Sequence, residues 1–229
     1  MANFNTHLTI AAAASTGGAL LAAKIHLLGA TDLPWFIFLG TLGGLLPDID
    51  ANHSKPVKLL FNVLALIGVA AILQAFRHSY PPYPLALSVI GTYLSIRHVA
   101  YKLFNKFTLH RGVFHSLLAS VFFALLTTCI SYRLLHWNVQ QAWLNGLFIA
   151  LGYCVHLLLD EAYSVDLSNA KIKKSFGSAF KLINYNNLTA SALMALCTLA
   201  LYWLTPPPTP LLKAGKNIHW QHILSIKSP

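Results

Sequence analysis

Six stretches of this chain, approximately residues 8–28, 57–76, 84–103, 113–135, 143–160 and 188–205, stay apolar for close to twenty residues. Wound as α-helix, that length matches the hydrocarbon core of a bilayer, about 30 Å across. A seventh stretch, Leu33 to Leu46, is shorter, carries Gly40, Gly43 and Gly44, and stops at Pro47. It reads as a short tilted span or a re-entrant piece, because non-helical backbone at membrane depth survives only where protein or a water-filled cavity covers it. The expected fold is all-α: a polytopic transmembrane helical bundle of about six to seven membrane segments. In this reading residues 1–205 form one integral membrane domain and residues 206–229 a tail containing proline and lysine.

Charge supports the same class. Only 10% of residues are charged, against roughly 25% in a soluble domain, which excludes a disordered chain, a coiled coil and the usual highly charged nucleic-acid-binding domain. The net charge of +10 comes from 16 basic and 6 acidic residues. The bases lie between apolar runs, so the partner they suit is an anionic membrane surface and not nucleic acid. If all seven segments cross, Lys55, Lys58, Lys102, Lys106, Arg111, Lys171, Lys173, Lys174 and Lys181 share one side. The short loops opposite hold only Lys24, Arg77 and Arg133. The positive-inside rule makes the first side, with the N-terminus, cytoplasmic. The start of the chain lacks a basic stretch and a cleavage site, and reads as mature sequence. Cys129, Cys154 and Cys197 sit in apolar runs without CxxC spacing, so neither a disulfide framework nor a thiolate zinc site is expected.

With six acids in the chain, their positions carry weight, and four fall beside histidines. The segment Gly44-Leu-Leu-Pro-Asp-Ile-Asp-Ala-Asn-His53 closes an apolar run. Asp48 and Asp50 are two apart, so both carboxylates project to one side of an extended backbone, with His53 close behind. Carboxylates and imidazole together hold zinc or manganese; the bland alternative is a solvated loop or a helix cap. In Leu109-His-Arg-Gly-Val-Phe-His-Ser116, Gly112 allows a break between His110 and His115. His110 is then expected in a loop and His115 in the first turn of the next span. Arg111 beside them suits phosphate or carboxylate oxygens, which its fork can grip in pairs. In the third segment His156 and Asp160 are four apart, on one helical face, and ionisable groups inside a span normally face protein or a polar cavity. Glu161 points elsewhere on the helix and is a weaker candidate ligand, one that serves as a general base if the backbone unwinds there. His7, at the start of the first span, falls on the same side as the other three segments. His26, His78, His136, His219 and His222 do not join this group, and His98 lies nearby in the fourth span.

The set Thr6-His7, Leu46-Pro-Asp-Ile-Asp50, His110-Arg-Gly-Val-Phe-His-Ser116 and His156-Leu-Leu-Leu-Asp160 resembles the YdjM-like family, over about residues 1–165. Members are described as LexA-binding, inner-membrane metal-dependent hydrolases of bacteria. One departure is Phe114, where the family pattern favours threonine. The resemblance implies a multi-pass inner-membrane location and metal-dependent hydrolysis. The His156–Asp160 spacing is also similar to the His-x-x-x-Asp pair of the zinc phospholipase C group, which points to phosphoester cleavage.

Together these readings give an expected enzyme with a divalent-metal site of one to three ions, zinc first and manganese second. His7, Asp48, Asp50, His53, His110, His115, His156 and Asp160 are the candidate ligands, with Arg111 and Glu161 as candidate catalytic groups. The expected substrate is an ester or phosphoester of a lipid or lipid-linked molecule at the cytoplasmic face, among membrane lipids. The alternatives are an ion- or proton-conducting transporter, which would need a ladder of polar groups across the membrane, and a scaffold with a closed structural metal site.

Overall fold

A computed structural model describes residues 3–50, 55–102, 113–166, 171–172, 181–185 and 187–216. In chain order the helices are α1 (Phe4–Lys24), α2 (Leu33–Gly43), α3 (Lys55–Phe76), α4 (Pro82–Leu94), α5 (Leu117–Arg133), α6 (Val139–Ala162), α7 (Leu188–Leu204) and α8 (Thr209–Lys216). Short 3-10 turns cover Ala30–Asp32 and Leu46–Asp50, and a π-helical stretch, Ser95–Ala100, continues α4. A two-residue antiparallel ladder pairs Val165 with Ile172 and Asp166 with Lys171.

The helix starts follow from capping chemistry. The side chains of Asn3, Ser116, Asn138 and Asn187 accept hydrogen bonds from the N–H groups of Thr6, Ala119, Gln141 and Ala190. Each satisfies one of the donors that a helix leaves unpaired at its N-terminus. Pro34 opens α2, at a position where its missing N–H is no loss.

The chain divides into two compact units, residues 1–47 with 113–229, and residues 48–112. In the first unit α6 is the central helix. Its buried positions Ala142, Asn145, Ile149, Gly152, His156 and Asp160 recur every three or four residues, and the helix meets α1, α2 and α5. The contact with α2 is made backbone to backbone. A Cβ on Gly152 would collide with the Gly40 carbonyl oxygen, and one on Gly43 with the Ile149 carbonyl oxygen. At the other end of α6, Asn145 is fully buried, accepts from Trp35 Nε1 at 3.0 Å and donates to Ser131 Oγ at 2.9 Å. The tail is partly helical: α8 packs on α6, and Trp143 Nε1 donates to the Pro206 carbonyl at 3.0 Å. In the second unit α3 pairs with α4 and its π-helical continuation, where Phe61 meets Tyr101 edge-on at 5.6 Å.

The expected six to seven membrane segments are corrected to three or four. Among the described residues Phe4–Lys24, Val57–Phe76 and Val139–Ala162 are long and apolar enough to cross a membrane. A fourth span is added if Leu188–Leu204 and Thr209–Gly215, bent by 81°, count as one. Apolar run and helix are different lengths, which is the physical reason. The run 113–135 contains an α5 of 17 residues, about 25 Å of rise, because Val113–Ser116 is spent on a bend and a cap. Likewise, α2 has 11 residues, about 16 Å, and α4 stops at Leu94 where the π-helix begins. Outward-facing Leu193, Leu196, Leu199 and Trp203 on α7 are exposed, as a helix in hydrocarbon requires and a water-facing one avoids.

Candidate metal centre

The site is assembled in the first unit from three helix ends. The start of α1 brings His7, the bend before α5 brings His115, and the last turns of α6 bring His156 and Asp160. Asp160, 3% exposed, is the hub. Its Oδ1 lies 3.3 Å from His7 Nε2, and its Oδ2 lies 3.5 Å from both His115 Nε2 and His156 Nε2. The His7 and His156 rings stack at 3.7 Å with 12° between planes, and His115 meets His156 edge-on at 5.8 Å.

Local structure explains each placement. Asn3 Oδ1 accepts from the N–H and the hydroxyl of Thr6, both at 2.8 Å, which winds the first turn of α1 and sets His7. His115 is held by its neighbours. Ser116 caps α5 and donates its hydroxyl to the Val113 carbonyl at 2.7 Å, and the buried Tyr153 hydroxyl donates to the Phe114 carbonyl. His115 thus stands just before the helix cap, and the expectation that it lies in the first turn of the span is corrected by two residues. The Phe114 contact is made through the main chain. The threonine-to-phenylalanine departure therefore leaves this support intact, and the Phe114 ring packs against Phe123 at 6.0 Å.

His156 is fully buried and its Nδ1 lies 2.7 Å from the Gly44 carbonyl oxygen. A carbonyl only accepts, so Nδ1 carries the proton, and in the neutral ring Nε2, on the Asp160 side, then holds the lone pair. This is the arrangement by which proteins orient a metal-ligating histidine. Ligand atoms of His7, His156 and Asp160 lie within 4.8 Å of one another, so the cluster is capable of coordinating a metal ion. Three imidazole nitrogens and a carboxylate suit zinc or manganese by donor type.

The remaining sequence-predicted residues are placed as follows. Asp48 is half-buried in the Leu46–Asp50 turn, which Asp50 closes. Glu161 is half-buried at the end of α6, where its carbonyl accepts from the Ser164 hydroxyl. His53, His110 and Arg111 lie outside the described residues. His98 sits in the π-helical stretch of the second unit.

A family model described as YdjM inner membrane protein matches residues 1–205. The chain belongs to the YdjM family. No curated protein and no solved structure matches it. The YdjM match spans every candidate ligand and ends before the tail. Together with the apolar helices it makes the protein a multi-pass inner-membrane protein.

In this YdjM-family chain, sequence reasoning found the clustered histidines and Asp160 but not their supports. Gly44, Gly152 and Tyr153 act through a carbonyl, a missing Cβ and a hydroxyl. A signal for two of them was available: Gly40-x-x-x-Gly44 is the spacing that lets membrane helices approach closely, and Gly152 shares the face of His156 and Asp160 at steps of four.

Proposed function

We propose that this protein is a membrane-embedded metal-dependent hydrolase acting on an ester or phosphoester of a lipid or lipid-linked substrate at the cytoplasmic face. The observation that carries the reading is the convergence of three imidazoles on the Asp160 carboxylate, with His156 locked by Gly44 in the ligating tautomer. A divalent ion bound there would supply a water of lowered pKa and a positive charge beside the oxygen on which negative charge develops. His7, His115, His156 and Asp160 would hold it. Asp48 and Asp50 follow Gly44 closely in the chain, and His53 and His110 flank the same segments; these four are the proposed further ligands, for one to three ions in all. Arg111 orients a phosphate or carboxylate oxygen through its fork. Glu161 is the proposed proton acceptor for the attacking water and donor to the leaving oxygen, a role that requires the last turn of α6, helical through Ala162, to open and bring its carboxylate round to the Asp160 side. The cytoplasmic assignment rests on the lysines and arginines that share the loops of these segments.

Elemental analysis of the detergent-purified protein tests this directly. Wild type is expected to carry stoichiometric zinc or manganese, lost in both Asp160→Asn and His156→Ala together with hydrolysis of a phosphoester and lipid-ester panel. Full metal retention in both variants would remove the proposed centre. Stoichiometric metal without turnover would favour a structural site, and metal-dependent ion flux in proteoliposomes a transporter.

A further inference from the structure

The end of the first unit away from the histidine cluster carries a cavity that the proposed hydrolysis does not use. Gln141, on its wall, and His156 are fifteen residues apart on α6, roughly 22 Å of helical rise. The cavity, about 430 Å3, lies between the Ala30–Asp32 turn, the start of α2 and the entry into α6. An adjoining hollow of about 340 Å3 shares His136 and Trp137 with it and adds Tyr132 and Arg133.

The two hollows carry opposite charge. In the larger, Trp35 and Trp137 lie 5.5 Å apart with 47° between their planes, forming an angled aromatic wall. Trp35 is fixed there by its bond to Asn145. Indole faces attract cations through their quadrupole, and Asp32 adds a carboxylate to the same lining. Its Oδ2 accepts from the Gly29 N–H at 3.1 Å, which anchors the carboxylate at the cavity. In the smaller hollow Arg133 is oriented by two contacts. Its Nε donates to the Leu204 carbonyl at 3.1 Å, and its guanidinium lies 5.6 Å from the centre of the Tyr132 ring. The bond at Nε leaves the two terminal nitrogens as donors for an anionic oxygen. Next to Arg133, Leu134 and Leu135 are exposed, at 70% and 51%.

A carboxylate with indole faces in one hollow and a guanidinium in the adjoining one, beside exposed leucines, match one chemistry. We propose that these hollows bind the headgroup of a zwitterionic phospholipid of the phosphatidylethanolamine type. The ammonium sits between Asp32 and the indoles, the phosphate sits on Arg133, and the acyl chains run along Leu134 and Leu135. An anionic lipid offers the phosphate but brings no cation to Asp32. The aromatic residues here are those that membrane proteins place at headgroup depth.

The test is native mass spectrometry of the full chain, delipidated and then exposed to phosphatidylethanolamine or phosphatidylglycerol vesicles. Wild type is expected to retain the first about tenfold better, the effect of one charged hydrogen bond. Asp32→Asn keeps a carbonyl oxygen for the Gly29 N–H, so the turn survives, and it should abolish that preference. Arg133→Gln should weaken retention of both lipids, with metal content unchanged in either variant. Equal retention of the two lipids by wild type, or a preference that both substitutions leave intact, overturns the proposal. Saturable quenching of tryptophan fluorescence by soluble phosphoethanolamine, with no lipid retained, would overturn it as well by assigning the site to a free headgroup.

Discussion

At the scale of single residues, the site depends on groups that never touch a ligand. Tyr153 is fully buried and its hydroxyl holds the Phe114 carbonyl, one residue from His115. Tyr153→Phe is expected to cost about 1 kcal/mol of stability, the net value of one hydrogen bond, since Ser116 N–H still donates to the same carbonyl. Loss of this support is expected to weaken metal binding roughly tenfold or more, measured by chelator competition; unchanged affinity would make the bond irrelevant to His115. Ser116→Ala removes the cap of α5 and the tie to Val113, and should lower thermal stability by about 1 kcal/mol in a detergent unfolding assay. The clustered side chains themselves were legible in the sequence. An ionisable group inside an apolar run is costly and has to be matched by something, which singled out His156 and Asp160, while His115 stood out by its motif and His7 by its shared membrane side. Their role as supports was not legible for Gly44, Gly152 and Tyr153, even where glycine spacing marked a close approach, because a main-chain carbonyl such as that of Gly44 is present in every residue and leaves no mark on composition.

For helices, the controlling feature is the close approach of α2 and α6. Gly152→Ala places a methyl group against the Gly40 carbonyl, where backbone cannot yield. The expected destabilisation is about 1–3 kcal/mol, the cost of overpacking, accompanied by loss of metal even though no ligand has changed. Gly17→Ala is the control: its Cβ meets nothing within 4 Å, and the substitution should be neutral or stabilise α1 by up to about 1 kcal/mol. If both variants behave alike, the contact is not what aligns Gly44 with His156. The short apolar stretch ending at Pro47 was readable as unusual from its glycines. Its partner was not, since Gly152 lies far along the chain and pairing is a property of the folded helices. Helix lengths were overread for a similar reason, because hydropathy persists through bends such as Val113–Ser116 that break the hydrogen-bond ladder.

In the whole molecule, the proposed orientation can be tested from the two ends of the first unit. Tyr163, at the metal end, and Leu135, at the Trp137 end, are half exposed. In a background lacking Cys129, Cys154 and Cys197, an impermeant maleimide applied to spheroplasts should label Leu135→Cys. Tyr163→Cys should react only after the membrane is opened. The reverse pattern would put the metal centre on the outer side. Charge bias suggested this orientation from a count of seven crossings, and the structure supports three or four. What survives the change of count is the grouping itself. The starts of α1 and α5 and the end of α6 meet at Asp160, as their shared side in the sequence reading required.

The bond from His156 to the Gly44 carbonyl has a consequence for how this protein tolerates change. A support supplied by the main chain cannot be deleted by exchanging a side chain, and no alternative residue improves it. Substitutions at positions 44 and 152 are therefore filtered by bulk alone. In a saturation library, survivors there should sort by side-chain volume, with alanine already impaired and polarity without effect. At 7, 115, 156 and 160 they should sort by donor atom instead. Two grammars of tolerance, one of size and one of chemistry, would then outline the same few ångströms of the protein.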